Sequence, residues 1–503
     1  MLPPPPPHSP RLRTAAWLVG LALVVIAVYA QAAGFGFAYD DYPTIQTNTH
    51  LGRPLSELMG VLLTGTRAAA DIPDATRPTM VLSMALDHRM FGTWAGGYHL
   101  HSLLAYLCLC GVVCVALWRL LEVRAATFAG TAFFALAPVH AEVVASINYR
   151  EDLLMALGVL GLLAWVLRPG GQRETPWSGL LIGLATLATV GAKESGVVLL
   201  VLVPTLTYLR GGRDLLKRRE AAFFAMALAA IVWAVWRLTM VSAGAQIPTR
   251  TFASLGARLL HAARYEVLAI GHSLIPVLWS PEYTWPEEPS GVWVLALSAM
   301  LAGTVGLAVR PATRGMAVAL LATALCTLPT SPLVAPVNSY ADRYLCLSLF
   351  GGALFWGYAL IAAGRVVHTP WLARGFVVAM VAWVPVSYGA ASVWHDDLAL
   401  WASAVERAPT SARAWQGLAR AQRRAGHADA ARISIDRALR LHPAYPPALV
   451  TRVYVLVAQD RIREARDALD LLSGESAASQ PGVARARRCL RPEVANTQEC
   501  MRE

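Results

Sequence analysis

Residues 15–41 read AAWLVGLALVVIAVYAQAAGFGFAYDD, an apolar stretch from Ala15 to Ala33 that is soon followed by two acidic residues. The stretch has about the length, ~20 residues, that a helix needs to cross a membrane. It exceeds the ~7–15 residues of a signal-peptide core, although Ala30-Gln31-Ala32 resembles a cleavage site. Because Arg11 and Arg13 precede it, we expect an uncleaved first span with its basic flank in the cytoplasm.

The composition extends this apolar character to most of the chain. Apolar residues make up 56% of the 503 residues and charged residues only 15%, whereas about a quarter of a soluble domain is charged. Charges become denser after residue 390. The sequence therefore predicts an all-α fold, a polytopic helical membrane body followed by a soluble tail, and excludes a soluble cytoplasmic enzyme. The net charge of +11 includes no long basic run interleaved with aromatic residues, so no nucleic-acid partner is expected.

Hydropathy and length predict about eleven membrane spans. After the first, they are expected at about 98–121, 125–138, 153–167, 177–191, 196–209, 221–241, 291–309, 316–332, 344–363 and 372–390. A further apolar segment, 259–279, contains Arg264 and Glu266, which are costly in lipid. Leaving it out of the count keeps the arginine clusters between spans on the cytoplasmic side. We therefore expect 259–279 to be an interfacial or re-entrant helix pair on the outer face, and the tail to lie outside the cytoplasm.

The basic residues are almost all arginine, since Lys193 and Lys217 are the only lysines. This bias is typical of GC-rich bacterial coding, so the expected location is a bacterial inner membrane.

The tail carries an internal repeat. Pro409 and Pro443 align at a period of 34 residues, which is the period of tetratricopeptide helix-turn-helix repeats. In the soluble tail, Cys489 and Cys500 would be a plausible disulfide pair if the tail is extracytoplasmic. The predicted domains are a cytoplasmic Pro-rich N-terminus (1–14), a membrane domain (15–390) with its first outer loop at 34–79, a region of about two repeats (391–473) and a C-terminal tail (474–503).

Charged side chains, scarce elsewhere in the membrane body, gather in the predicted outer loops. Asp40 and Asp41 follow the first span. A loop Asp pair is often only a turn or a helix cap. Adjacent carboxylates can instead supply a general base and an orienting or metal-binding partner, because like charges split their pKa values.

Short motifs of the chain also occur in a particular order: Phe37-Ala-Tyr-Asp-Asp41, Arg77-Pro78 with Leu82-Ser83, Gly97-Tyr-His-Leu100, Pro138-Val-His-Ala-Glu142, Arg150 with Asp152-Leu-Leu154, Lys193-Glu194 and Ala341-Asp-Arg-Tyr344. With the repeat tail, this order resembles the transmembrane and tetratricopeptide-repeat-containing mannosyltransferases, a family of the GT-C superfamily. The resemblance covers roughly Phe35 to Leu472. Ser102 and Tyr106 depart from it, since the family usually has Asn and His there.

The resemblance implies a GT-C type glycosyltransferase. Its donor would be a polyprenyl-phosphate-linked sugar, expected to be mannose, and its acceptors Ser or Thr hydroxyls of extracytoplasmic proteins, with inversion at the sugar. The family's catalytic acidic pair maps onto Asp40 and Asp41, and we assign Asp40 as the base and Asp41 as its partner. The departing phosphate needs positive charge, for which Arg343 is the first choice and Arg150 and Lys193 are the second. Each of these three is equally well explained as an interfacial or salt-bridged residue.

Three further residues are weaker candidates. His140 and Glu142 are predicted to orient the acceptor or a metal, although a single His-x-Glu is a poor metal signature. His99 has a similar predicted role, with helix capping as the alternative. No cofactor is expected with certainty, a divalent metal stays open, and the lipid-linked sugar enters as substrate. The other expected partners are membrane lipids and acceptor proteins bound through the repeats. The alternative function is a non-catalytic membrane scaffold that holds partner proteins through those repeats.

Overall fold

The computed structural model describes residues 10–64, 72–169, 175–242, 254–284, 290–334, 340–365, 369–470, 472, 482–491 and 496–501. The proline run Pro3–Pro7 lies outside the described residues, as does much of the predicted C-terminal tail. The chain divides into two units. One comprises Met1–Trp279 with Glu287–Trp394, and the other comprises Ser280–Pro286 with His395–Glu503.

The first unit is built from helices throughout its described residues. Their bounds are Pro10–Tyr29, Leu55–Thr64, Pro78–Phe91, Ala95–Leu121, Arg124–Leu136, Ala141–Ala145, Arg150–Val166, Pro176–Ala192, Leu199–Arg218, Glu220–Ser242, Leu255–Leu274, Val292–Val309, Arg314–Thr327, Ser348–Ala363, Thr369–Val381 and Trp383–Ser392. Short 3-10 turns connect several of them, among them Ala30–Gly34 and Asp342–Leu345.

Six helical segments among the described residues are long and apolar enough to cross a membrane: Thr14–Gly34, Ala95–Leu121, Glu194–Arg218, Glu220–Ser242, Val292–Val309 and Pro370–Ser392. A bent pair, Arg124–Leu136 with Pro138–Ala145, would make a seventh. The predicted fold class, an all-α polytopic membrane protein, is thus confirmed. Other expected spans correspond to shorter apolar helices such as Pro176–Ala192 and Ser348–Ala363, so the count of eleven stays a prediction.

The expected helix pair at 259–279 is wrong, because the chain forms one continuous helix there, Leu255–Leu274. Ser254 caps its start by accepting a hydrogen bond from the Ala257 amide at 3.1 Å. Polar groups on the helix find partners inside the protein. The Glu266 carboxylate accepts a hydrogen bond from the Thr327 hydroxyl at 2.7 Å. Polar groups that contact partners inside the protein require no break in the helix. The outer-face position remains a prediction.

The helix Ala95–Leu121 lies at the centre of the first unit and packs against Arg124–Leu136 and Arg150–Val166. With 27 residues at 1.5 Å per residue, it is about 40 Å long. Its first turns lie beside the loop that carries the acidic pair, because His99 contacts Gly36. This helix therefore connects the candidate site with the opposite end of the membrane unit.

The second unit consists of helices whose bounds are Asp397–Arg407, Ala412–Arg424, Ala428–Leu441, Pro446–Ala458, Ile462–Asp470, Val483–Cys489 and Thr497–Cys500. Two turns between consecutive helices contain residues with positive φ, Gly426 at 82° and Asp460 at 60°. These are equivalent positions of the 34-residue period, and Asp is one of the few other residues that tolerate this conformation. The helices lie where the repeats are expected, and their assignment as tetratricopeptide repeats stays a prediction.

Two further features close the second unit. Cys489 and Cys500 form a disulfide with a Cα to Cα distance of 5.5 Å, as the sequence suggests. Glu282, far away in sequence, accepts hydrogen bonds from the Ser411 hydroxyl at 3.0 Å and from Arg413 Nη1 at 2.5 Å. The segment around Glu282 therefore packs with the tail helices, although sequence-based boundaries place it in the membrane domain.

Candidate functional site

Asp41 is the buried member of the acidic pair, with 1% of its surface exposed. Its Oδ2 accepts a hydrogen bond from the Ala38 amide at 3.1 Å, and its Oδ1 accepts one from the Asn148 amide at 2.9 Å. These bonds tie the loop after the first span to the loop before Arg150. Asp41 thus holds two loops together beside Asp40.

Asp40 is only partly buried and has a different surrounding. Its Oδ2 accepts a hydrogen bond from the Tyr149 hydroxyl at 3.2 Å. The preceding residue, Tyr39, has a left-handed φ of 52°, which is uncommon for an aromatic residue and is maintained only when surrounding contacts impose it. The loop thereby presents the two adjacent carboxylates to different partners, and Asp40 is the more exposed of the two.

Arg343 lies on the other side of Tyr149. Its guanidinium is 4.2 Å from the centre of the Tyr149 ring, and its Nη1 pairs with Glu142 Oε1 at 2.5 Å. Its backbone amide donates to the other oxygen of Glu142 at 3.0 Å. Burial alone would lower the pKa of Arg343, but Tyr149, Tyr344 and Glu142 outweigh burial and hold the pKa well above its usual value. Asp40 and a permanent cation therefore meet at one tyrosine.

Lys193 brings a second cation to the same region. Its Nζ is 2.6 Å from Asp152 Oδ2, 3.0 Å from Glu151 Oε1 and 5.2 Å from the centre of the Tyr344 ring. Arg343 also lies over that ring, at 4.8 Å. Burial lowers the pKa of Lys193, but the two carboxylates outweigh burial and raise it. Of the three predicted phosphate ligands, Arg343 and Lys193 are thus brought together around Tyr344.

Arg77 connects further loops of the site, a role that sequence reasoning missed. It makes a bidentate contact with Glu194, with both nitrogen to oxygen distances 3.1 Å, and its Nη1 is 2.7 Å from Glu151 Oε2. The Arg77-Pro78 motif was the only signal for it in the sequence. Nearby, burial raises the pKa of Asp74 to about 6, with Arg77 opposing the shift and Glu151 adding to it.

Arg150 lies in a separate, closed set of contacts. Its guanidinium pairs with Asp87 and donates to the hydroxyls of Ser102 and Ser83, each at 3.0 Å, and to the Tyr98 carbonyl oxygen at 2.6 Å. The side chain is 0% exposed. Its donors are already engaged by fixed groups, so the geometry gives Arg150 a structural role and does not favour the phosphate-binding role predicted from the sequence.

The predicted orienting residues also have internal partners. His140 is fully buried, and its Nδ1 lies 2.9 Å from both the Tyr106 hydroxyl and the Phe134 carbonyl oxygen. Glu142 is engaged by Arg343. The Nε2 of His99 is 3.3 Å from the Gly36 carbonyl oxygen. These contacts favour positioning roles: His99 holds the loop that carries Asp40, and Glu142 holds Arg343. In the part of the chain that the structure describes, no three His, Cys, Asp or Glu side chains form a metal-binding group.

No model of a known protein family matches the chain. A Drosophila melanogaster protein named Protein O-mannosyl-transferase Tmtc1 is 30% identical over 198 residues, which are 37% of this chain and 22% of that protein. The Caenorhabditis elegans Protein O-mannosyl-transferase F38B6.6 is 23% identical over 460 residues, 87% of this chain and 64% of that protein. The mouse Protein O-mannosyl-transferase TMTC2 is 29% identical over 188 residues, 35% of this chain and 22% of that protein. The chain thus spans less than two thirds of these relatives.

Among solved structures, the chain is similar to the crystal structure of ArnT from Cupriavidus metallidurans bound to undecaprenyl phosphate. The sequence identity is 17%, the TM-score is 0.38, and the match covers 93% of this chain and 82% of the other. A likeness of this size carries no argument about function. The sequence matches confirm the resemblance indicated by the motif order, because the chain is similar to several proteins named as protein O-mannosyl-transferases.

Proposed function

We propose that the chain is an integral-membrane glycosyltransferase that transfers a sugar, expected to be mannose, from a polyprenyl-phosphate donor to Ser or Thr hydroxyls of extracytoplasmic proteins. The names of its relatives support the reaction class. One observation in the structure carries the proposal. The partly buried Asp40 carboxylate and the Arg343 guanidinium both contact Tyr149, one through its hydroxyl and the other through its ring. A base and a phosphate-binding cation are thereby held side by side.

The chemistry assigned to these groups is an inverting displacement. Asp40 accepts the proton of the acceptor hydroxyl while that oxygen attacks the anomeric carbon. The bond between the anomeric carbon and the phosphate oxygen breaks, and its electron pair leaves with the polyprenyl phosphate. Arg343 stabilises the charge that grows on the phosphate, because it is a cation held in place before the reaction. Lys193 is paired with Asp152 and Glu151 and only 5% exposed, so it is the less favoured phosphate ligand.

Asp41, Glu142 and His99 act through other residues in this proposal. Asp41 holds the loop of Asp40 through two backbone amides. Glu142 fixes Arg343 and leaves part of its guanidinium, with 11% of the side chain exposed, to meet a phosphate. Because a bidentate carboxylate contact would occupy the guanidinium more fully, the single side-chain contact from Glu142 keeps Arg343 suitable for a ligand.

The test is transfer of radiolabelled mannose from polyprenyl-phosphate mannose to membrane proteins, comparing the unmodified chain with Asp40→Asn. Loss of a general base lowers the rate by about 10²–10⁴-fold. Glu57→Gln is the matched control, since Glu57 is an exposed acid of the same loop whose partner is the exposed Arg53. Undiminished transfer by the double variant Asp40→Asn/Asp41→Asn would refute the proposed site.

The donor is varied in a second arm of the same assay. If the unmodified chain labels nothing with mannose, other polyprenyl-phosphate sugars replace it. Transfer from one of these that depends on Asp40 keeps the mechanism and changes the sugar. If no donor supports transfer, the non-catalytic scaffold becomes the better explanation, and proteins retained by the second unit would then define its role.

We also propose that the second unit lies outside the cytoplasm, where it meets the acceptor proteins. The Cys489–Cys500 disulfide supports this orientation, since disulfides persist in oxidising compartments. A reporter enzyme that is active only in the cytoplasm, fused after Glu503, tests it. The proposal predicts an inactive reporter. An active reporter would show that the tail lies in the cytoplasm.

A further inference from the structure

A cavity of about 790 Å³ lies at the end of the first unit remote from the acidic pair. Its walls include Thr14 near the start of the first helix, Trp118 and Arg119 at the end of Ala95–Leu121, and Phe128 near the start of the next helix. Its volume falls in the range of small-molecule sites, about 300–1,000 Å³. None of its wall residues belongs to the motifs from which the candidate site was predicted.

The cavity is distinct from the candidate active site. The first membrane-spanning segment runs from Thr14 to Gly34, which at 1.5 Å per residue places its ends roughly 30 Å apart. Thr14 lines the cavity, whereas Asp40 follows the other end. A ligand in this cavity therefore does not reach the groups assigned to sugar transfer.

Positive charge predominates on the cavity wall. Its charged residues are Arg119, Arg124, Arg210 and Glu122. Arg210 neutralises Glu122 through an ion pair and donates its Nε to the Arg119 carbonyl oxygen at 2.7 Å. Two arginines are left in excess of the acidic charge. The Arg119 guanidinium has no hydrogen bond or ion pair with any residue that the structure describes.

The rest of the wall is apolar. Val115 and Trp118 are 41% and 48% exposed, and Phe128 stacks on Trp17 with ring centres 4.3 Å apart. Arg124 lies 5.7 Å from the centre of the Phe128 ring. Cationic groups therefore border a hydrophobic surface, which complements an amphiphile with an anionic head and a hydrocarbon body.

Arginines near the ends of membrane helices commonly extend into the interfacial region without binding a particular lipid. Such residues do not require a cavity lined by aromatic side chains. We propose that this cavity binds an anionic membrane lipid, with its phosphate at Arg119 and Arg124 and its acyl chains along Val115 and Trp118. The inference is independent of the proposed transferase activity.

Lipid binding is measured on the full chain in zwitterionic detergent by adding phosphatidylglycerol, phosphatidylcholine or inorganic phosphate and recording the unfolding temperature. A ligand that binds only the folded chain raises this temperature, and the rise grows with the logarithm of the ratio of ligand concentration to Kd. We expect phosphatidylglycerol to raise it, and phosphatidylcholine and inorganic phosphate at equal concentration to leave it unchanged. An equal effect of phosphatidylcholine would mean that charge is not recognised, and an equal effect of inorganic phosphate would mean a free-anion site; either overturns the proposal.

Variants locate the effect within the molecule. We expect Arg119→Gln to weaken phosphatidylglycerol binding roughly fivefold and Arg119→Gln/Arg124→Gln to weaken it roughly twentyfold. Each substitution removes one positive charge that attracts the anionic headgroup. Arg310→Gln is the control, because Arg310 is exposed and does not line the cavity. Unfolding temperatures without lipid identify any variant that is misfolded. If Arg119→Gln and Arg310→Gln are both well folded and bind equally, the site is not this cavity.

Discussion

Two buried arginines of the membrane unit, Arg150 and Arg343, differ in what surrounds them. Arg150 is 0% exposed and is bound by Asp87, two serine hydroxyls and a backbone carbonyl oxygen. Arg343 keeps 11% of its side chain exposed, pairs with one oxygen of Glu142 through its guanidinium, and otherwise faces aromatic rings. Both come from motifs that the sequence analysis assigns to phosphate, with Arg343 as the first choice and Arg150 as a second. The comparison shows that an arginine whose donors are already engaged stabilises the fold, and one with donors to spare can bind a ligand.

The contacts around Arg150 and Asp87 provide the largest expected effect. Arg150→Met leaves Asp87 as a buried charge without its main partner, so the free energy of unfolding should fall by about 3–5 kcal/mol. Unfolding of the purified protein in detergent, followed by tryptophan fluorescence, measures this. Arg150→Met/Asp87→Leu removes both charges and should regain part of the loss. If Arg150→Met unfolds like the unmodified chain, Arg150 does not have the structural role given to it here.

A substitution at Arg343 should instead change the transfer activity. Arg343→Lys keeps a charge beside Glu142 but loses the planar fork that lies over both tyrosine rings and that, in the proposed mechanism, contacts the phosphate. We expect the transfer rate to fall by roughly 10²–10³-fold, with an unfolding temperature near that of the unmodified chain. Arg53→Lys, at an exposed arginine of the first loop, is the matched control. Equal rates for the two variants would remove Arg343 from the mechanism.

Tyr149 contacts both Asp40 and Arg343, so a substitution there can separate the roles of these two residues. Tyr149→Phe removes the hydroxyl that donates to Asp40 and keeps the ring beside Arg343. The loss of one hydrogen bond to a charged group predicts a rate decrease of about tenfold. Because the ionised carboxylate loses a donor, the acid limb of the pH–rate profile should move to higher pH. A profile that stays in place would argue against Asp40 as the titrating base.

The smallest expected effect concerns pH and stability. Burial raises the pKa of Asp74 to about 6 from a usual value of 3.8, so its protonated form is favoured in the folded chain. The stability that this form contributes is present below about pH 4 and is lost as pH rises through 6. The side chain is 30% exposed, so the change should be ~1 kcal/mol or less. Asp74→Asn should reduce the fall in unfolding temperature between pH 4 and pH 7. If the fall is unchanged, a group other than Asp74 causes it.

The sequence predicts the fold class and the identity of most residues near the site, because hydropathy and motif order are local properties of the chain. It ranks Arg343 above Arg150 but does not show that Arg150 is enclosed, since that difference depends on partners such as Asp87 and Tyr149 that are distant in sequence or outside the motifs. The continuous helix Leu255–Leu274 was mispredicted for a related reason. One oxygen of Glu266 accepts a hydrogen bond from Thr327, and Arg264 lies over the ring of Trp293; a hydropathy argument cannot identify such partners.

The ion pair between Glu142 and Arg343 joins residues 201 positions apart. At a synthesis rate of about 5–20 residues per second, roughly 10 to 40 s separate the emergence of the two partners from the ribosome. During this interval the acidic loop and Tyr149 are already made, but the arginine that completes the candidate site is not. The candidate site can therefore form only after most of the membrane unit has been synthesised. A chain whose synthesis stops before Arg343 would be a membrane protein without a complete site.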